Sequence, residues 1–493
     1  MKITLLKKEV LENAVPVFIM HEKESLKKHA FFSSLGAEDK KYLTGLEKKL
    51  SLGNGKTRRI FLPTGREALL IGVAAQDKFN HRKAIIAARR VIAAARGERI
   101  GSVSILLDDF AAKDFTGTRK DLAEILTMQF EMANFEFLLY KTPPPEGWFF
   151  VEEIRVHTRR QVQGTEKGIA AGKIIGEEIN HARTLSNTPG SDMTPERLAH
   201  AATAEGKKYG FGVRVFEERE IQKLAMGGVL GVSKGSAERP RFIVMEYYGG
   251  KNKNERPVVL VGKGVTFDTG GLNVKPGDAM YEMHMDMSGG AAVIHTIAAM
   301  VRLQIKLNVI GLVPAVENMP SGSSYRPGDL LKTMSGKTIE VLNTDAEGRV
   351  ILADALTYAQ KYKPRAVIDV ATLTGSAVVA LGQRASALFT TNAQLERLLR
   401  EAGERTGDFV WPLPLWEEFE EDVKGTFGDV ANAGKSRYGG ATNGAVFLWQ
   451  FIKKYPWAHI DIAPRMTSVE GEFLAKGSAG ASIALLAYFL RRF

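Results

Sequence analysis

Short apolar segments alternate with helical segments between residues 257 and 370, and this alternation constrains the fold more than any other feature. The segments that we expect to form strands are 257–261, 306–313, 337–342 and 366–370, and the helical ones are 288–302 and 347–362. Strands separated by helices of this length favour a largely parallel sheet with helices on both faces. Because ligands bind beyond the carboxyl ends of the strands in such sheets, we expect functional residues there.

A smaller α/β domain is expected over residues 1–160. Apolar runs at 60–62, 69–73 and 103–107 are typical of buried strands, and the alanine-rich segment 84–95 is typical of a helix. The proline-rich segment 141–147 predicts a loop late in this domain. Residues 161–183 have helical spacing and predict a connecting helix at the start of a second domain, 161–493. The predicted fold is α/β with two domains, the C-terminal one built on a mostly parallel central sheet flanked by helices.

The composition excludes several classes of protein and site. The sequence contains no cysteine, which excludes disulfides, thiolate metal sites and a cysteine nucleophile. No apolar run reaches the roughly 18 residues that a membrane helix needs. Charged residues interrupt the apolar stretch at the start of the chain, so we expect no signal peptide. A cytoplasmic protein fits these features best.

The positive charge is concentrated in the first third of the chain. Residues 1–160 contain 28 lysines and arginines against 20 acidic residues, whereas the remaining residues contain 39 against 36. A basic domain could contact an acidic partner such as DNA, or it could simply be a solvated surface. Because no helix-turn-helix pattern accompanies the charge, DNA binding stays open only as an added, regulatory role.

Three glycine-rich segments, 261–276, 283–290 and 343–349, combine acidic and basic residues beside apolar strands. Their four carboxylates and two lysines are Lys263, Asp268, Lys275, Asp286, Asp345 and Glu347. Carboxylates gathered near an apolar core repel one another and lose hydration, so they need a compensating cation. A pair of divalent metal ions would supply it, and a water bridging the two ions would become a nucleophile near neutral pH.

Each segment also has a purely structural interpretation. Residues 344–347 match a helix capping box, and Asp286 precedes a predicted helix. The P-loop and the HExxH motif are absent. His295 lies in an apolar helical segment, where we expect a packed core residue, and the nine histidines are scattered. A histidine-rich zinc site is therefore not expected, and oxygen ligands should dominate.

Long motifs in this half of the chain resemble the cytosolic leucine aminopeptidase family, which consists of hexameric di-zinc exopeptidases. The segment Asn-Thr-Asp-Ala-Glu-Gly-Arg at 343–349 and the segment Val-Gly-Lys-Gly-x-Thr-Phe-Asp-x-Gly-Gly at 261–271 are both intact. The resemblance extends through 317–322, 325–329, 369–375, 438–440 and 459–463. It covers most of residues 180–493, whereas the N-terminal third is only weakly similar, chiefly at 62–66.

The resemblance implies a metal-dependent aminopeptidase that releases N-terminal residues, with two divalent ions per subunit, zinc or manganese. Asp268 would bridge the two ions, and Lys263 and Asp286 would complete the tighter site. Asp345 would bind at the more exchangeable site, and Glu347 would contact both ions. Lys263 can act as a ligand only as a neutral amine, so the metals would have to depress its pKa far below about 10.4.

The same resemblance implies the remaining roles. Lys275 would stabilise the oxyanion, and Arg349 would hold a bicarbonate that shuttles a proton. The residues that match the family's pocket for the first side chain are Met283, Thr372, Gly375, Ala463 and Met466. Their apolar character predicts a preference for leucine and similar residues of peptides with a free N-terminus. A homohexamer is also implied.

Three positions depart from the family's pattern. His284 stands where lysine or arginine is frequent, and Pro464 and Arg465 replace smaller residues beside the pocket. The identity of the physiological metal and the preferred first residue therefore stay open at the level of sequence.

Overall fold

The computed structural model describes residues 1–6, 14–47, 52–159, 163–436 and 438–493, which form two compact units. The first unit contains Met1–Glu177 and Val469–Ala475, and the second contains Glu178–Ser468 and Lys476–Phe493. Among the described residues, no helix combines the length and the apolar character needed to span a membrane.

The first unit is built on a six-stranded sheet with the order β1-β6-β5-β2-β4-β3. Its strands are β1 Lys2–Leu6, β2 Val15–His21, β3 Thr57–Phe61, β4 Glu67–Val73, β5 Ser102–Leu106 and β6 Glu153–His157. Its helices are α1 Ala30–Ser33, α2 Ala37–Glu47, α3 His81–Gly97, α4 Arg119–Ala133 and the first part of α5 Thr165–Asn187. All the strands pair in parallel except β3, which runs antiparallel to β4.

The second unit contains a nine-stranded sheet with the order β16-β15-β18-β14-β9-β11-β8-β7, in which β10 also pairs with β11. These strands are β7 Gly212–Phe216, β8 Arg241–Tyr248, β9 Val258–Gly262, β10 Gly264–Asp268, β11 Asn308–Asn318, β14 Ala366–Ala371, β15 Ser386–Phe389, β16 Val410–Pro412 and β18 Trp457–Asp461. A small sheet contains β12 Leu330–Lys332, β13 Thr338–Glu340 and β17 Val430–Ala431.

Helices pack against the central strands of the large sheet. The helices of this unit after α5 are α6 Pro195–Tyr209, α7 Glu218–Lys223, α8 Gly227–Ser233, α9 Ser288–Arg302, α10 Glu347–Ala359, α11 Gly375–Leu381, α12 Ala393–Thr406, α13 Gly440–Trp449 and α14 Ile483–Leu490. Strands β9 and β14 are buried at every residue. Both are apolar along almost their whole length, as expected for parallel strands covered on both faces.

The predicted α/β class and the mostly parallel sheet flanked by helices are confirmed. The predicted strands and helices are present with ends shifted by a few residues, and α9 coincides with the predicted segment 288–302. The division between the units differs from the predicted boundary after residue 160, because it lies within α5, after Glu177. The first part of α5 packs closely on α4, where a Cβ at Gly168 or Gly172 would lie 2.2 or 2.1 Å from a backbone oxygen of α4.

A buried carboxylate joins three segments of the second unit. Asp354 of α10 accepts a hydrogen bond from the backbone N–H of Met334 at 2.8 Å and one from that of Val229 at 3.0 Å. Burial raises the pKa of Asp354 to about 7. Backbone donors that lose their acceptor inside a core cost free energy, so this side chain stabilises the packing of α8 and of the segment after β12 on α10.

Replacement of Asp354 by alanine should therefore destabilise the protein. We expect Asp354→Ala to lower the free energy of unfolding by about 2–4 kcal/mol, because buried N–H groups lose their partner. Denaturant unfolding of the variant and the parent measures the difference. Thr357→Ala on the same helix is the control, since the Thr357 hydroxyl bonds only within α10, to Ala353. Equal losses for the two variants would contradict the capping role.

Candidate active site

The charged residues of the three glycine-rich segments meet beyond the carboxyl ends of the central strands. Lys263 directly follows β9, Asp268 ends β10, and Thr372 directly follows β14. Because β9 runs parallel to β14 and to β11, and β10 runs parallel to β11, these strand ends lie at one edge of the sheet. Asp286 lies just before α9, and Glu347 is the first residue of α10.

One cavity of about 630 Å³ is lined by every residue to which the family resemblance assigned a metal, catalytic or substrate-pocket role. The residues that line it include Lys263, Asp268, Lys275, Met283, Asp286, Asp345, Glu347, Arg349, Thr372, Gly375, Ala463 and Met466. The four carboxylates and two lysines of the glycine-rich segments therefore share a single site, although 84 positions separate Lys263 from Glu347.

Lys263 is the buried centre of this site. Its Nζ lies 2.8 Å from Asp286 Oδ2, 2.8 Å from Glu347 Oε1 and 2.9 Å from the carbonyl oxygen of Thr372. Burial by itself would lower the pKa of Lys263, but Asp286 and Glu347 outweigh it and hold the pKa well above its ordinary value. In the structure, Lys263 is thus an ammonium that neutralises two carboxylates.

Lys275 neutralises the other two carboxylates. Its Nζ lies 2.7 Å from Asp268 Oδ2 and 2.5 Å from Asp345 Oδ1. The other oxygen of Asp268, Oδ1, accepts hydrogen bonds from the backbone N–H of Gly270 and from the Asn318 side chain. Burial opposes the charge on Lys275, yet Asp268 and then Glu347 raise its pKa.

Burial and crowding together raise the pKa of three of the acids. Burial is the largest cause at Asp286, Glu347 and Asp345, and the charge of Asp268 adds to it at each. Full ionisation of these carboxylates is therefore unfavourable even with two lysines facing them, and a further cation would favour it.

The unsatisfied oxygens fit divalent cations. Asp286 Oδ2, Asp345 Oδ1 and Glu347 Oε1 are buried and have no hydrogen bond of proper geometry, although each faces a lysine at ion-pair distance. Oxygens of Asp268, Asp286 and Glu347 lie within 4.8 Å of one another. A metal ion binds carboxylate oxygens without the alignment that a hydrogen bond requires, so this donor set suits one.

Arg349 carries a second unsatisfied group. It is buried on α10, and its Nη1 donates to the carbonyl oxygen of Asn432 at 2.9 Å, but its Nε is buried without a partner. Burial lowers the pKa of Arg349, while Glu347 and Asp461 oppose this shift. A buried guanidinium with an unused N–H beside a cavity is suited to hold a small anion.

Two glycines leave the space that these side chains occupy, because a Cβ at either position would clash. A Cβ on Gly348 would lie 2.6 Å from Lys263 Cε and 2.8 Å from its Nζ. Gly270 has a φ of +89°, and a Cβ there would lie 2.3 Å from the carbonyl oxygen of Asn273. The first glycine lets Lys263 reach Glu347 beside α10, and the second forms the turn that returns the chain towards Lys275.

Sequence reasoning missed several residues that hold the site together. Asn318, at the end of β11, donates to Asp268 Oδ1 at 2.8 Å and to the carbonyl oxygen of Thr344 at 3.0 Å. Tyr325 donates to the same carbonyl at 2.6 Å. Asn318 and Tyr325 lie in conspicuous motifs and could have been found there. Nothing in the sequence indicates the role of Asn432, which meets Arg349 only in the fold.

Two structural interpretations from the sequence are wrong. Residues 344–347 do not form a capping box, because the N-cap of α10 is Ala346 and the Thr344 hydroxyl donates to the carbonyl oxygen of Gly270 instead. Asp286 does not cap α9, since its carboxylate meets Lys263 and the Thr372 hydroxyl. The carboxylates of Glu347 and Asp286 instead line the cavity, where the repulsion between them has to be compensated.

The departures from the family's pattern lie outside the cavity lining. His284 is half-buried, and burial lowers its pKa. Arg465 is buried and donates to the carbonyl oxygen of Gln383 at 2.8 Å. Neither these residues nor Pro464 line the cavity of about 630 Å³.

Comparison with known proteins identifies the family. The profile described as "Cytosol aminopeptidase family, catalytic domain" matches residues 180–487. This chain belongs to the cytosol aminopeptidase family. The probable cytosol aminopeptidase of Methylobacillus flagellatus is 43% identical over 429 residues, covering 86% of this chain and 84% of that protein. That of Geobacter sulfurreducens is 43% identical over 373 residues, covering 75% and 74%.

Solved structures agree with this assignment. The bottromycin maturation enzyme BotP superposes with a TM-score of 0.83 at 29% identity, covering 97% of this chain and 98% of its own. A structure of BotP in complex with Mn gives the same score and covers 97% and 99%. The expected resemblance is confirmed, and the chain is a metal-dependent aminopeptidase, a hydrolase of the cytosol aminopeptidase family.

Gly348 offers a direct test of the geometry around Lys263. Alanine is favoured over glycine in a helix by about 1 kcal/mol, but here its methyl group would displace the Lys263 amine. We expect Gly348→Ala to fold and to lose roughly 100-fold in kcat, because small displacements in a catalytic site have effects of that order. Peptidase assays measure kcat, and thermal unfolding shows whether the variant is folded.

The matched control is Gly322→Ala, since a Cβ at Gly322 meets no atom within 4 Å. We expect its kcat to equal that of the parent. Full activity in Gly348→Ala would show that close approach to Lys263 is not required.

Proposed function

We propose that this protein releases the N-terminal residue of peptides with two divalent metal ions, which Lys263, Asp268, Asp286, Asp345 and Glu347 would hold. The observation that carries the proposal is the group of buried carboxylate oxygens that face only lysines and lack aligned hydrogen bonds. Ordinary ion-pair networks satisfy their oxygens, whereas a metal site prepares them for a cation.

The charges of the site agree with two ions. Ionised, the four carboxylates carry more negative charge than Lys263 and Lys275 together neutralise, and the raised pKa of Glu347 reflects this excess as well as its burial. If Lys263 becomes a neutral ligand, the excess grows by one more charge. A pair of divalent ions would more than compensate it, and the remaining positive charge would favour a carbonyl oxygen of the substrate.

The metals, when bound, would supply Lewis-acid activation of the scissile carbonyl and of the attacking water. The protein orients its own groups around that chemistry. Asn318 fixes Asp268, and the Thr372 hydroxyl fixes Asp286 with a hydrogen bond of 2.6 Å. Such bonds hold a ligand carboxylate in one orientation, which lowers the cost of assembling the site.

Lys275 would stabilise the negative charge that develops on the carbonyl oxygen. Its ammonium lies at the cavity, its side chain is 14% exposed, and its raised pKa keeps it charged at neutral pH. A fixed positive charge in a partly dry cavity stabilises an oxyanion more than the same charge does in water. Lys275 is therefore assigned to the oxyanion and Lys263 to the metal.

Arg349 would hold bicarbonate as the group that carries the proton. An arginine cannot itself accept a proton near neutral pH, but its partnerless Nε can hold an anion that does. The bond of Arg349 Nη1 to Asn432 fixes the plane of the guanidinium beside Glu347. Bicarbonate is small enough for such a position and can bind in a bidentate way.

The pocket for the first side chain would be formed by Met283, Thr372, Gly375, Ala463 and Met466, which line the cavity. A Cβ on Gly375 would meet no atom within 4 Å, so space is open beside it. Apolar walls with this space favour leucine- or methionine-like residues. A cytoplasmic location and a homohexamer are proposed on the same family grounds, and DNA binding by the basic first unit stays a prediction.

Removal and return of metal tests the proposal. Metal-stripped protein should not hydrolyse Leu-p-nitroanilide, and added Mn²⁺ or Zn²⁺ should restore the activity. The double variant Asp345→Asn/Glu347→Gln should stay at least about 1,000-fold slower at every metal concentration, because it loses two ligand carboxylates.

The control makes the same chemical change elsewhere. Asp77 and Glu418 are exposed, so Asp77→Asn/Glu418→Gln should recover activity as the parent does. The proposal would be refuted if folded parent protein showed no hydrolysis with either metal on substrates with several different N-terminal residues.

Bicarbonate dependence tests the role of Arg349. In bicarbonate-free buffer, added bicarbonate should raise the kcat of the parent protein, since loss of a positioned proton carrier costs roughly 100-fold or more. Arg349→Met should have a low kcat that does not respond to bicarbonate. The same bicarbonate response in both proteins would remove this assignment while leaving the metal site untouched.

A further inference from the structure

A second group of side chains of the types that ligate metals lies in the second unit and shares no residue with the cavity lining. Glu178 and His181 lie on α5, and His295 lies on α9. Glu178 is fully buried and His295 is 2% exposed. The prediction that His295 is a packed core residue is therefore confirmed, but its ring also contacts a carboxylate. The His181 side chain is 45% exposed, so the group reaches solvent on one side.

Both histidines present the same atom to the same carboxylate oxygen. Glu178 Oε2 lies 2.8 Å from His295 Nδ1 and 3.5 Å from His181 Nδ1, and the two rings have centroids 5.6 Å apart. Two ligand atoms about 2.0–2.1 Å from a tetrahedral zinc ion lie about 3.3 Å apart. The two distances to Glu178 bracket this value, and the three residues offer ligand atoms that all lie within 4.8 Å of one another.

Arg302 completes the surroundings of the carboxylate. Its Nη1 lies 2.6 Å from Glu178 Oε1, the oxygen that the histidines do not face. A carboxylate that binds metal through one oxygen is commonly hydrogen-bonded through the other, and this fixes its orientation. The division of the two oxygens between Arg302 and the histidines is the arrangement that such a ligand needs.

A further carboxylate lies beside this group. Glu178, and to a smaller extent Glu205 of α6, raise the pKa of His181, while Lys208 opposes them. Glu205 Oε2 is buried and has no hydrogen-bond partner. An unsatisfied carboxylate oxygen near the exposed histidine adds the negative charge that a dication requires and supplies a candidate for the fourth position.

We propose that Glu178, His181 and His295 form a zinc site distinct from the active site. Two imidazole nitrogens with one carboxylate oxygen favour Zn²⁺ over Mg²⁺ or Ca²⁺, which prefer oxygen ligands. The bound ion would join α5 to α9, the helix that begins two residues after Asp286. The alternative is an ion-pair network in which Glu178 serves only to neutralise Arg302 and the histidines.

Zinc stoichiometry separates the two possibilities. Metal-stripped full-length protein is equilibrated with Zn²⁺ alone, and bound zinc is counted by elemental analysis. The parent protein should bind about one zinc ion per chain more than His181→Ala, because that variant loses one of the three ligands. His200→Ala is the control, since His200 is an exposed histidine on α6, and it should bind as much zinc as the parent.

The active-site metals are distinguished by a second comparison. Asp345→Asn/Glu347→Gln should keep the zinc that His181→Ala loses, whether or not the proposed function is correct. Zinc should also raise the thermal unfolding temperature of that double variant. The increase should be smaller in the triple variant that carries His181→Ala as well. Equal zinc content in the parent and in His181→Ala would overturn the proposal, and Glu178 would then be an ion-pair centre only.

Discussion

Mutual repulsion among buried carboxylates is the constraint on which the active-site region depends. Asp268, Asp286 and Glu347 are almost completely buried, and their ligand oxygens lie within 4.8 Å of one another. Such a group is stable only while cations face it, and Lys263 and Lys275 fill that role at distances of 2.7–2.8 Å. The same physical demand suits the region to divalent metal, since a metal and an ammonium satisfy the same oxygens in different ways.

The backbone around the site departs from local conformational preferences so that these side chains can converge. Gly348 occupies a helix position where alanine would be favoured, and Gly270 adopts a positive φ. Thr344 would suit a helix cap but bonds to Gly270 instead, so α10 begins without a side-chain cap. Departures from local rules are concentrated where side chains must converge, which is the pattern expected of a functional site in a stable fold.

Helix α9 lies beside the active site at its N-terminus and also carries His295, which meets Glu178. Its first turn packs on the strand ends that hold the active site, where a Cβ on Gly289 would lie 2.1 Å from the carbonyl oxygen of Val370. About two turns later the same helix presents His295 to Glu178. The tight packing of its N-terminus leaves little freedom to shift, so His295 has a fixed position relative to α5, as an assembled metal site needs.

The sequence by itself determined the elements and the members of the active site. Periodicity and glycine-rich turns are local, and they sufficed to predict the parallel sheet and α9, whereas the resemblance to the family supplied the roles of the twelve candidate site residues, which all line the cavity. Only the tertiary structure decided which oxygen faces which lysine, that Arg349 meets Asn432 across 83 positions, and that Glu178 meets His295 across 117. Such contacts depend on the order and register of strands far apart in the chain, which no local pattern encodes.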